Sequence, residues 1–232
     1  TVYHLTQIVN AYSGITTNKF YGNEPYISEG QIKITQAILN QAELTTIYVN
    51  KNVSASGPGS YFNPVKTLKE AADIVNASTA TGDFTIIMQT NTTESSNIEF
   101  NKDVKIKSDA SSKRTVSGDV TVTSSADLVT LKNIGFSSIK GLSIQNGTVY
   151  MESGSFTSCS TTDSGGAIYS EGMVTLEACI ITGCHATHGG AIFSKDTLGL
   201  NYCIISANYA TVEAGALQLE GSSTEQKATL QM

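Results

Sequence analysis

A short block repeats. Gly165-Gly166-Ala167-Ile168-Tyr169-Ser170 returns as Gly189-Gly190-Ala191-Ile192-Phe193-Ser194, and again, weakened, as Ala214-Gly215-Ala216-Leu217. The spacings are 24 and 25 residues. A second apolar segment precedes each copy: Val149-Tyr150-Met151, Val174-Thr175-Leu176 and Leu198-Gly199-Leu200. Five residues after the last residue of each comes Phe156, Ile181 or Ile205. The same pattern starts upstream, where Val129-Thr130-Leu131 leads to Phe136 and then to Gly141-Leu142-Ser143-Ile144.

A fixed period of this size signals a repeat architecture. Each apolar run is too short for a helix and the right length for a strand. Helical repeats need longer, 3.6-spaced apolar patterns, and a leucine-rich signature is absent. The expected fold is therefore all-β: a right-handed parallel β-helix with an N-terminal helical cap. Equivalent strands of neighbouring coils stack ~4.8 Å apart, so equivalent residues form ladders. The hand follows from the crossover rule. The Gly-Gly-Ala stretches let the chain turn with positive φ and approach the next coil closely. Thr85–Met88, Val104–Ile106 and Val120–Val122 read as earlier strands.

A solenoid's first coil exposes an unpaired edge that must be covered. Residues 60–76 are expected to supply a helix. Asn63 is placed at its N-cap and Pro64 in its first turn, with Leu68, Ala71, Ala72 and Val75 as its apolar stripe. Thr46–Val49 reads as a strand before it. Gln31–Ala42 is expected to form a second helix, and residues 11–27 a loop. Two regions follow: an N-terminal extension and cap over 1–83, in which residues 1–45 read as an extension of the cap or as a small separate subdomain, and the β-helix over 84–232. Ala228-Thr229-Leu230 reads as the start of one more repeat, so a further C-terminal portion is expected.

Composition narrows the partners. Fourteen Lys and Arg against 20 Asp and Glu give a net charge of −6, so no basic face for nucleic acid is expected. No apolar run approaches the ~20 residues of a membrane helix. Ser and Thr number 56 of 232 residues, enough to make the outer faces polar. Exposed ladders at Thr121, Thr130, Thr175 and Ser206, with Tyr150, Tyr169 and Tyr202 as outward rings, would suit a glycan, a host-cell protein or another copy of the chain.

The GGAI blocks resemble the GGA(I/L/V) and FxxN repeats of the polymorphic outer-membrane protein family over residues 128–217. The FxxN half is altered, with Cys159 and Cys184 in place of Asn and only Asn208 matching. Tyr48 to Val75 is similar to the strand-loop-helix cap of pectate-lyase-like β-helices. The resemblance implies a parallel β-helix and an adhesin-like, extracellular or cell-surface passenger. Such folds also carry polysaccharide lyases and hydrolases, so a carbohydrate-active enzyme is the alternative.

Catalytic candidates follow from the repeat alignment. It stacks Ser164, His188 and Glu213, with Asp163 beside Ser164. Asp163 and Glu213 would lie two coils, or about 10 Å, apart, near the upper limit for inverting glycosidases. The bland reading is that these are turn residues, with His188 and Glu213 in a weak surface pair. The alignment also stacks Cys159 with Cys184 and Cys179 with Cys203, within reach of a disulfide. Cys179 and Cys203 are expected inside the core, and Cys159 and Cys184 at a turn. The candidate bridge is Cys159 to Cys184, and the alternative is a ladder of free thiols. His185 and His188 share an HxxH spacing beside Cys184, which does not make a metal site on a turn; no metal or cofactor is expected.

Overall fold

The computed structural model describes residues 45–80, 82–137, 140–221 and the strand Leu230–Gln231. The expected helix over Gln31–Ala42 and the loop over 11–27 lie outside these residues.

The chain forms a parallel β-helix whose strands stack into three long sheets. The first has eight strands: Thr46–Val49, Phe84–Met88, Val104–Ser108, Leu128–Lys132, Thr148–Glu152, Met173–Glu177, Leu198–Asn201 and Leu230–Gln231. The second and third have six strands each. They run from Thr92–Thr93 to Ile204–Ser206 and from Ile98–Phe100 to Leu217–Leu219. Each coil visits the first, second and third sheets in turn. All pairings are parallel and come from successive coils, so each crossover is one coil long. Thr46–Val49 pairs with Phe84–Met88, so the first sheet begins ahead of the helix.

Side chains alternate in and out along every strand. Ile47, Ile86, Ile106, Leu131, Met151, Leu176 and Leu200 form one inward ladder, joined residue to residue through the first sheet. Phe136, Phe156, Ile181 and Ile205 form another in the second sheet. Each ladder follows from the repeat: one buried position per period becomes one column of the core. Burial of these columns is the main driving force. The two rings Phe136 and Phe156 stack with centroids 5.0 Å apart. Ser170 and Ser194 are also fully buried. Each hydroxyl donates to a carbonyl two residues on, so neither serine is stranded.

The corners have a common backbone solution. Asn133, Ser153, Ala178 and Tyr202 all have φ between 51° and 57°. They lie in register between the first and second sheets, so one left-handed residue makes each corner. Ser158, Gly183 and Ala207 repeat the device at the end of the second sheet, and Gly165, Gly189 and Ala214 before the third. The two glycines confirm the reading of the GGAI block.

The cap helix spans Leu68–Ala77 and buries Leu68, Ala71, Ala72 and Val75 as the pattern requires. It does not begin at Asn63–Pro64. Val65 bridges to Val49 as an extra extended segment, with its N–H on the Tyr48 carbonyl and its carbonyl taking the Asn50 N–H. Pro64 is held in the same extended run, its carbonyl accepting from Gly57. The N-cap is Thr67, in a capping box with Glu70. Glu94, from the first coil, accepts from the Leu68 and Lys69 N–H groups at 2.9 and 3.2 Å. Asn76 bonds the edge strand Ile98–Phe100 and its flank, through the Glu99 carbonyl and the Asn101 N–H. The helix therefore closes the solenoid edge with hydrogen bonds as well as apolar area.

Thr67→Ala should lower stability by about 1 kcal/mol in urea unfolding. Burial pushes the Glu70 carboxyl up, but bonds from the Ser56 hydroxyl and the Thr67 and Lys66 N–H groups outweigh it and hold it below its ordinary value. A depressed carboxyl stabilises the fold above the unfolded pKa and loses that contribution as pH falls through the folded one. Glu70→Gln should flatten stability against pH only in that acidic window.

Candidate functional site

Ser164, His188 and Glu213 do stack, through a Ser164–His188 bridge and the His188–Glu213 pair. They lie along the short fourth sheet, where His185–His188 pairs with Tyr209–Glu213 around a bulge. The bulge moves the register by one residue, so His188 meets Glu213 although Ala186 meets Ala210. The Asp163 carbonyl takes the Thr187 N–H, and the Glu213 carbonyl takes that of Gly189. The Glu213 carboxylate accepts from the Gln218 amide at 3.2 Å. Asp163 is exposed on a bend, and Glu213 is exposed at the end of its strand. The His185 ring stacks on Tyr209 with centroids 5.3 Å apart and planes 4° apart. Among the described residues no three His, Cys, Asp or Glu side chains gather to hold a metal ion.

The cysteines stack as aligned, but their environments differ from expectation. Cys159, Cys184 and Cys179 are all fully buried, while Cys203, in the last coil, is partly exposed. The Cys159 and Cys184 position faces inward because it is the inward end of the FxxN turn. In the third copy Asn208 fills it, accepting from the Cys184 N–H at 2.8 Å and donating to the Ile181 carbonyl at 3.1 Å. All four cysteines are thiols, so the candidate Cys159–Cys184 bridge is not closed in this structure. A hydrogen bond from Cys159 is the main reason the Cys184 thiol is held below its ordinary pKa. Burial pushes Cys179 up to about 11. The thiolate is the reactive form in exchange. Mild oxidation of the folded protein should therefore link Cys159 to Cys184 and leave Cys179 reduced, as read by peptide mass mapping. A Cys179–Cys203 peptide as the main product would refute this.

The outer faces carry the remaining polar groups. On the second sheet Thr93, Ser117, Ser137, Thr157, Thr182 and Ser206 stand in one outward column across six strands. Neighbouring hydroxyls bond along it, Ser117 with Ser137 at 3.3 Å and Ser206 with Thr182 at 3.4 Å. On the first sheet Thr130, Tyr150, Thr175 and Gly199 share a column. Tyr150 is engaged there, its hydroxyl donating to Glu177, which is the main cause of a phenol pKa of about 12. Lys107, Lys132, Glu152 and Glu177 make the neighbouring column. Its Lys132–Glu152 pair at 2.9 Å is exposed and contributes little.

The third sheet carries the most structured surface group. Tyr169 and Phe193 stack with centroids 5.6 Å apart. Lys140 and Lys195 lie 5.8 and 5.4 Å from the Tyr169 ring. Glu171 accepts from both the Tyr169 hydroxyl and Lys195. The Lys195 bond is the largest cause holding the Glu171 carboxyl low, and the same bond raises the Lys195 amine. Tyr169 is thus locked between charges and a second ring, whereas Tyr202 stands 91% exposed on its corner. Sequence reading missed Lys140, Lys195 and Glu171. The one signal available was the aromatic residue at the same place in two successive GGAI blocks.

The chain matches no family model, and no curated protein or solved structure matches it. The stacked repeats themselves establish the architecture, a parallel β-helix of about six coils.

Proposed function

We propose that this chain is a non-catalytic extracellular or cell-surface β-helix, adhesin-like or structural, that binds through its outer faces. The observation that supports it is the unbroken outward hydroxyl column from Thr93 to Ser206. A solenoid turns a per-coil residue into an extended, regular surface. Such a surface offers many weak hydrogen-bonding positions at fixed spacing rather than one converging catalytic centre. The GGAI resemblance supports the same reading and suggests display as a passenger. Partners of matching chemistry are a glycan, a host-cell protein or another copy of the chain.

A second reading, a polysaccharide lyase or hydrolase, draws on the stacked Ser164, His188 and Glu213 with Asp163 beside them. One experiment separates the two. The protein is incubated with acidic and neutral polysaccharides, following reducing ends and unsaturated products, and in parallel is probed on a glycan and cell-binding panel. Binding without turnover is the expected result. Turnover that disappears in Asp163→Ala or Glu213→Ala would overturn the non-catalytic reading.

A further inference from the structure

The outer face of the third sheet holds a recess of about 160 Å³ lined by Asn97, Asp119, Thr121, Lys140, Gly141 and Ser143, with Val120 beneath. Its origin is a missing side chain. Asn97, Asp119 and Gly141 occupy one column, immediately before the aligned strands Ile98–Phe100, Val120–Val122 and Leu142–Ile144. Gly141 has φ +80°, and a Cβ there would lie 2.4 Å from the Ala167 carbonyl oxygen. The column is therefore open above Asp119. Thr121 and Ser143 form the adjoining outward column, which Tyr169 then continues.

The polar groups of this recess are incompletely used. Asp119 Oδ1 is buried and has no hydrogen-bond partner. The Lys140 ammonium lies over the Tyr169 ring, and no ion pair within 4.0 Å joins it to Asp119 or any other described carboxylate. A buried carboxylate oxygen without a donor is costly, and native structures usually satisfy such groups. The Asp119 side chain lines the recess beside Lys140, so a ligand that donates to its carboxylate and accepts from the ammonium would engage both charges. Ser143 adds a hydroxyl on the same side, while the Thr121 hydroxyl already donates to the Asn97 amide, whose nitrogen donates to Glu99 at 3.3 Å. The opposed charges cancel, which favours a neutral ligand over an anion or a cation. At ~30 Å³ per water the volume is roughly that of five waters, room for one small polar ring rather than a drug-sized molecule.

We infer that the Asp119–Lys140 recess is a binding site for one neutral, hydroxyl-rich ring, a single sugar unit of a glycan, with a hydroxyl donating to Asp119 and another oxygen accepting from Lys140. The inference rests on the binding reading above and names the ligand class for one place on the surface. A shallow site for one ring should bind on the order of millimolar, and a chain of such units would gain by engaging the outer face at several points.

The test is amide chemical-shift mapping of the whole chain, titrated with the methyl glycosides of glucose, galactose and mannose, and with glycine as a zwitterionic control. At least one glycoside should perturb the amides of Thr121, Lys140 and Ser143. Asp119→Asn, which keeps the side-chain shape, and Lys140→Ala should each weaken that binding about tenfold while leaving distant amides in place. Three results would overturn the assignment. The first is no perturbation at the recess with any glycoside. The second is perturbation that both variants leave unchanged; the sugar then sits elsewhere, and the outer-face reading survives without this recess. The third is a stronger response to glycine, which would make the ligand a zwitterion.

Discussion

Gly190→Ala should cost more than 3 kcal/mol and remove cooperative folding of the C-terminal coils. The reason is close approach. A Cβ on Gly190 would lie 2.2 Å from the Gly215 carbonyl oxygen and 2.3 Å from that of Tyr209. Both atoms are backbone of the next coil, which is held by the Gly190 N–H to Ala214 bond and its neighbours. Nothing flexible can give way, so whole strands must part. Gly166 faces the same obstruction one coil earlier, with a Cβ 2.3 Å from the Gly190 carbonyl oxygen. Gly183 provides the internal contrast. Its φ is +66°, yet a Cβ there would meet only Ser158 atoms at 3.5 Å or beyond. Ala207 already occupies the equivalent corner of the next coil at φ 54°. Gly183→Ala should therefore cost only about 1 kcal/mol. Urea unfolding of the three proteins measures both values. A Gly190→Ala protein within about 0.5 kcal/mol of its parent would refute the close-approach account.

Phe156→Ala should cost about 3–5 kcal/mol. The ring is fully buried, lies 5.0 Å from Phe136 and is followed in its column by Ile181. In a solenoid each coil is supported only by its neighbours, so a cavity at this level weakens the interface between two halves. The expected signature is a split transition, with coils on the two sides of Phe156 losing hydrogen-exchange protection separately. Phe156→Leu, which keeps most of the volume, should cost less than about 1.5 kcal/mol and retain one transition. A single, unshifted transition in Phe156→Ala would show that the column does not carry the coupling between coils.

How far the fold was legible depends on what each residue answers to. Val129, Val149, Val174 and Leu198 recur at spacings of 20, 25 and 24 residues, and they form one column of the first sheet. The stack Ser164, His188 and Glu213 was legible for the same reason, since alignment of repeats is alignment of coils. The polar recess was not. It depends on Asp119 standing below Gly141, a pairing between coils whose period is 22 residues rather than 24 or 25, upstream of the recognisable GGAI blocks.

Periodicity alone, then, determined that this chain is a stack of short parallel strands, which strand residues face inward, and which coils lie next to each other. A repeated apolar position can be buried repeatedly only by stacking on its own copies. Tertiary structure decided the rest, wherever a residue answers to a partner far along the chain. Thr67 became the N-cap because pairing with the first strand draws Pro64 and Val65 into an extended segment. Cys159 and Cys184 turned inward because the closed turn puts that position inside the core. Ala178 and Tyr202 took left-handed corners, which neither residue favours by itself, because sheet register on both sides leaves one residue to turn the chain.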